Sequence, residues 1–190
     1  IPTVTQWRRP SDIFEKPTLF RDDFDVEGVI QGALDNKWLL SAINIVAGKR
    51  EVLDRVFMDA EHTEKGFGIV EVCRDDPCSD DDWQVIIVDD RIPCDASGQP
   101  VFARAADPNS YWVMLLEKAF AKYAGTYEAL EGGTVTQGLE DLTGGIGFKF
   151  DLEKDDPLQG GAKQWIPRGE EPERLWDELI EKSSQNVVAG

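Results

Sequence analysis

Cysteine is scarce in this chain: Cys73, Cys78 and Cys94 are three among 190 residues. So small and odd a set argues against a secreted disulfide framework and reads as reduced thiols in a cytoplasmic protein. Cys73 and Cys78 flank Arg74-Asp75-Asp76-Pro77 with no second Cys/His pair, so they do not make a zinc site. Histidine is scarcer still, with His62 alone between Glu61 and Thr63, where an exposed and freely titrating imidazole is expected. No uninterrupted apolar run approaches about 18 residues, and the chain opens at Ile1 without a basic-then-apolar leader. The expectation is a piece of a soluble intracellular protein with no membrane insertion. Positive charge is also short, with 20 Lys and Arg against 37 Asp and Glu, for a net −17. Nucleic acid and anionic lipid are bound by Lys and Arg that displace counterions, so this balance speaks against both as partners. Internal repeats and low-complexity tracts are missing too.

What is present suits one globular domain or one large subdomain: 41% hydrophobic residues, with six Trp and nine Phe, can fill a core. Residues 1–30 carry Pro2, Pro10, Pro17 and the acidic run Arg21-Asp22-Asp23-Phe24-Asp25, and read as an irregular opening segment. From Lys37, the run Trp38, Leu39, Leu40, Ala42, Ile43, Ile45, Val46 is apolar nearly all round and stops at Gly48. That pattern predicts a helix at the centre of the domain with its first turn enclosed by protein. Phe67–Val72 and Trp83–Val88 are β-rich and predict two strands joined by an acidic loop. Its Asp80-Asp81-Asp82 lacks the ligand order and glycine of an EF-hand and reads as a solvated turn.

Asp107 as cap and Pro108 at the first helical position precede Trp112, Leu115, Leu116, Ala119, Phe120 and Tyr123, the clearest amphipathic helical spacing in the chain. Gly132-Gly133 and Gly144-Gly145 bracket a short helix, Thr134 to Leu142, with Thr134 or Thr136 as cap. Residues 151–169 are charged and loop-like, a last helix is predicted from Pro172 to about Lys182, and Asn186 to Gly190 reads as a truncated strand.

The run Gln31-Gly32-Ala33-Leu34-Asp35-Asn36-Lys37-Trp38-Leu39-Leu40-Ser41-Ala42 resembles the calpain nucleophile motif, in which Gln-Gly-x-Leu-Gly-Asp-Cys-Trp opens the central helix. The similarity continues in order through Val88-Asp89-Asp90-Arg91-Ile92-Pro93, Tyr111-Trp112, and Leu115-Leu116-Glu117-Lys118-Ala119-Phe120-Ala121-Lys122. Tyr127-Glu128-Ala129-Leu130-Glu131-Gly132-Gly133 and Gly138-Leu139-Glu140-Asp141-Leu142-Thr143-Gly144-Gly145 complete it. The resemblance implies an α/β (α+β) domain of papain-like cysteine peptidase fold, the first subdomain of a calpain core. In that division residues 31–148 form the subdomain, and 149–190 form an acidic loop, a terminal helix and the link to a second subdomain, which in the family holds the catalytic His and Asn.

By the same resemblance Lys37 stands at the nucleophile position and Gln31 at the oxyanion-hole position, while Gly132, Gly133 and Trp38 face an extended peptide. A peptidase thiolate is stabilised by a helix N-terminus and an imidazolium, so an ammonium there points to a dead site. Asp35, in place of the family glycine, is expected to pair with Lys37. Gln31 serves equally well as an oxyanion donor or as a brace for the loop before the helix. No cofactor is implied beyond calcium, whose first family site uses an Asp and a Glu at positions that read Gly28 and Ser110 here. Asp22, Asp23, Asp25 and Glu27 lie near enough in sequence to compensate, which leaves calcium open but weakened.

The expectation is therefore a catalytically inactive calpain-like protein, a pseudo-peptidase with a binding or regulatory role. Its partners would be the second core subdomain and a protein or peptide, and its site the cytoplasm, extending to the cytoskeleton. An intracellular calcium-dependent cysteine endopeptidase and an acidic calcium-responsive adaptor are the rival readings.

Overall fold

A computed structural model describes residues 3–20, 28–58, 65–73, 82–147, 153–155 and 163–165. The chain divides into two compact units, Ile1–Ile146 and Gly147–Gly190.

In the first unit the elements follow in the order β1 (Gln6–Arg8), α1 (Pro10–Ile13), β2 (Val29–Ile30), α2 (Lys37–Ala47), α3 (Arg50–Val56), β3 (Phe67–Cys73), β4 (Trp83–Asp89), β5 (Ile92–Cys94), β6 (Arg104–Ala105), α4 (Trp112–Ala124), a 3-10 turn (Glu128–Leu130) and α5 (Val135–Thr143). The sheets are two-stranded and antiparallel, pairing β1 with β5, β2 with β6 and β3 with β4. Mixed helices with small antiparallel sheets make the class α+β. The second unit contributes β7 (Glu153–Asp155) and β8 (Lys163–Trp165), paired antiparallel.

The helix expected from Lys37 is α2, and it carries the core. Leu39, Leu40, Ala42, Ile43, Val46 and Ala47 are buried, and α2 packs against α3 and α5. Each Leu or Ile withdrawn from water this way contributes about 1.5–3 kcal/mol. The helix is not apolar all round, however: Lys37, Ser41 and Asn44 form an exposed stripe. Positions i, i+4 and i+7 share one helix face, so the polar residues line up although the intervening sequence reads as continuously apolar.

The predicted hairpin is also present, with Phe67 opposite Asp89 and Cys73 opposite Trp83. Val70, Val72, Ile86 and Val88 turn inward, while Val85 and Ile87 face out. Helix α4 packs along β4, where the Lys122 Nζ donates to the Ile87 carbonyl (2.7 Å) and Lys118 donates to the carbonyls of Asp89 (3.0 Å) and Arg91 (2.7 Å).

Four further expectations are corrected. The opening segment is not irregular throughout, since β1 pairs with β5 and the Arg9 guanidinium bonds the Asp90 carboxylate at 2.7 Å. Helix α4 begins at Trp112 rather than Pro108. Asp107 accepts from the Asn109 N–H (2.7 Å), and the Thr18 backbone bonds Asn109 and Tyr111, holding this stretch out of helical conformation. The span read as a charged loop contains β7 and β8, three-residue strands too short to show a period. Cys73 is disulfide-bonded, not reduced; a sparse cysteine set argues against a framework of bridges and does not bear on a single crosslink. Cys78, His62, the acidic residues 22–27, the helix expected from Pro172 and the final strand lie outside the described residues.

Candidate functional site at the start of helix α2

Residues 31–36 run in a loop against Val101 and Phe102, which precede β6. Gly32 meets the backbone of Phe102 so closely that a Cβ would overlap it, and the Ala33 N–H donates to the Val101 carbonyl (3.0 Å). Leu34 is buried, and its carbonyl accepts from the Gln31 side-chain amide at 2.9 Å. Gln31 thus braces the loop with one of its two amide hydrogens.

Asn36 is the N-cap of α2. Its carbonyl accepts from Leu39 (3.0 Å) and Leu40 (3.1 Å), but its side chain does not cap. The carboxamide, fully buried, instead turns inward and donates to Glu117 Oε1 on α4 at 2.8 Å. Glu117 Oε2 accepts the Ala103 N–H at 2.9 Å. Asn36 Oδ1 is buried without a partner. Burial pushes Glu117 up to about 7, with the bonds from Asn36 and Ala103 opposing the rise. Beside it, burial first and the Glu117 and Asp89 charges second raise the Tyr127 phenol, whose ring stacks on Phe102 at 4.1 Å between centroids.

Lys37, the first residue of α2, points to solvent. Its ammonium lies 3.9 Å from Asp35, with the side chains 75% and 80% exposed, so the expected pair forms but contributes at most a few tenths of a kcal/mol, roughly. Trp38 is half-buried. Its indole N–H donates to the Leu130 carbonyl at 2.8 Å, and its ring lies so close to Gly133 that a Cβ there would overlap it. Gly132 takes φ +104 with open space around it. Thr134, rather than Thr136, caps α5 by accepting the Gln137 N–H at 3.2 Å.

The structure therefore brings Trp38, Gly132 and Gly133 together and places Lys37 with Asp35, while Gln31 is held to Leu34. Asn36 and Glu117 were missed by the sequence reading. The available signal was Glu117 on a helix whose Val113, Met114 and Ala121 are apolar as well, which leaves a carboxylate no obvious route to water.

A family model described as calpain family cysteine protease matches residues 2–190. The chain belongs to the calpain family. It is 35% identical over its whole length to "Calpain-type cysteine protease ADL1" of Oryza sativa subsp. japonica and 34% to "Calpain-type cysteine protease DEK1" of Zea mays, covering 8% of each relative. It is 37% identical over 80% of its length to "Calpain-2 catalytic subunit" of Bos taurus, covering 21% of that protein. This calpain-family domain thus spans a small part of the relatives it matches.

The calcium implied for the family does not fit the residues described here. Gly28 offers no side chain, and its carbonyl already accepts the Ala106 N–H at 2.8 Å. Ser110 is buried with an unpartnered hydroxyl, a neutral oxygen where a hard cation needs carboxylates. Among the described residues no group of three or more His, Cys, Asp or Glu could hold a metal, and Asp22, Asp23 and Asp25 lie outside them.

Proposed function

We propose that this calpain-family domain is a pseudo-peptidase of papain-like fold, with Lys37 at the nucleophile position and a role in binding rather than cleavage. The observation that carries the reading is Lys37 itself: a solvent-facing ammonium at the first position of α2. A thiolate nucleophile needs sulfur, and it gains from the positive end of the helix; an ammonium has neither property. Of the cysteines among the described residues, Cys94 is free but buried and Cys73 is crosslinked. Amide hydrolysis through Lys37 would require a base and a route for release, and its one described acidic neighbour, Asp35, is exposed.

The exposed edge formed by Gln31, Lys37, Gly132 and Gly133 supports a wall that meets a second core subdomain, with a protein or peptide partner lying along it. Among the described residues no helix is long and apolar enough to cross a membrane; the setting that goes with the proposal is the cytoplasm, extending to the cytoskeleton. The names of the relatives favour the rival reading of an active endopeptidase. The deciding experiment is hydrolysis of a casein-type substrate by the full protein, with and without calcium, beside Lys37→Ala. No turnover in either is expected. Turnover lost in Lys37→Ala would establish lysine chemistry, and turnover surviving it would establish another active site; each overturns the proposal.

A further inference from the structure

We propose that Asn36 and Glu117 form a proton-operated latch under the first turn of α2: loss of a proton from Glu117 and a half-turn of the Asn36 carboxamide occur together. The arrangement seen is one of its two states. Asn36 Nδ2 donates to Glu117 Oε1 at 2.8 Å, the Ala103 N–H donates to Oε2 at 2.9 Å, and Asn36 Oδ1 has no partner. This state suits a carboxylate, which only accepts.

When Glu117 takes a proton from solvent on Oε1, that oxygen becomes a donor and meets the Asn36 amide hydrogens head-on. A half-turn about the last side-chain torsion of Asn36 brings Oδ1 to it, and the orphan becomes Nδ2. Each state leaves one carboxamide atom unsatisfied, so the cost of an unmade buried hydrogen bond, about 1–3 kcal/mol, falls on both sides and does not lock the pair in either. The position of Glu117 near neutrality agrees with such a balance.

The charged surroundings leave the balance to these two residues. From the segment after α4, Tyr127 faces Glu117, and Asp89 at the end of β4 acts on the same region. The Tyr127 phenol, raised above its ordinary value, stays protonated across this range and adds no charge beside the carboxyl. Lys118, the next residue on α4, is held by Asp89. Asp35 and Lys37 on either side of Asn36 are solvent-facing, and the stretch through Phe102 and Ala103 brings one charge, the exposed Arg104 of β6, which packs against α4. Because Asn36 is the N-cap, its side-chain state bears on the seating of the turn that presents Lys37 and Trp38. The latch does not depend on whether the site is inactive.

The test follows the carboxyl band of Glu117 by infrared difference spectroscopy, and the Asn36 side-chain and Ala103 backbone amides by NMR, from about pH 5 to about pH 9. A carboxylic-acid band is expected to vanish with a midpoint near 7 and to be absent in Glu117→Gln, while both amide signals move with the same midpoint. In Asn36→Ala the carboxylate loses a charge-assisted bond and the carboxylic acid only a weaker neutral one, so the midpoint moves up. A carboxyl ionised across the range, Asn36 signals that do not move with it, or a midpoint unchanged in Asn36→Ala would each overturn the proposal.

Discussion

The indole of Trp38 lies against the backbone of Gly133 while its ring N–H holds the Leu130 carbonyl at 2.8 Å. The helix that begins the site and the glycine loop beside it are thereby one packed unit. Gly133→Ala forces a methyl into a ring wedged on its other side near Gly138 of α5, and the expected loss is about 1–3 kcal/mol in urea unfolding. Trp38→Phe keeps most of the packing but orphans the carbonyl, with an expected loss of the order of 1 kcal/mol. A neutral Gly133→Ala would show that this contact is looser than described.

Stability should depend on pH through Glu117. Its folded carboxyl titrates at about 7 against an ordinary 4.5, so between those values the unfolded chain sheds a proton that the folded chain keeps. The stabilisation is complete below about 4.5 and is lost as pH rises through about 7, by at most about 3 kcal/mol. Relative to Glu117→Gln, the wild-type Tm should fall across that window and then run parallel. Parallel curves from pH 4 upward would mean that Glu117 titrates in the folded protein as it does in the unfolded chain.

Lys37 gives the fold no net stabilisation. Its pairing with Asp35 is exposed, and a cation at a helix N-terminus is unfavourable by about 0.3–1 kcal/mol. Lys37→Ala is therefore expected to leave stability unchanged or to raise it by up to roughly 1 kcal/mol. A loss beyond that, read by chemical denaturation, would mean that the ammonium has a partner in solution.

Cys94 should resist alkylation in the native protein. Its thiol is buried and held to the Ile92 carbonyl at 3.4 Å; burial, with Asp95 adding and Arg8 opposing, raises it above its ordinary value. Thiolate is the reacting form, so iodoacetamide labelling followed by mass spectrometry should find Cys94 modified only after unfolding. Rapid native labelling would place it at the surface.

The elements legible in the sequence are those whose own residues decide them. The apolar run after Lys37 and the paired β-rich runs fix α2, β3 and β4 because each is long enough to show its period. The start of α4 was misread because Asp107-Pro108 is a sound local signal that loses to Thr18, a partner distant in sequence. The pairing of Trp7 with Pro93 is equally remote, and nothing in three residues announces a strand. At the site, Lys37 and Trp38 were legible through the motif they interrupt or complete. The Asn36–Glu117 bond was not, because it joins positions 81 residues apart and uses a capping residue for something other than capping.

The lysines that reach from α4 to β4 give the hairpin a finished border. An unpaired strand edge is a template on which another strand can grow, and Val85 and Ile87 beside it would make the addition favourable. Lys122 and Lys118 already occupy the carbonyls of Ile87 and Asp89. An incoming chain would find acceptors taken and two ammonium groups in its way, so β4 ends the sheet on its side instead of seeding a larger one between molecules.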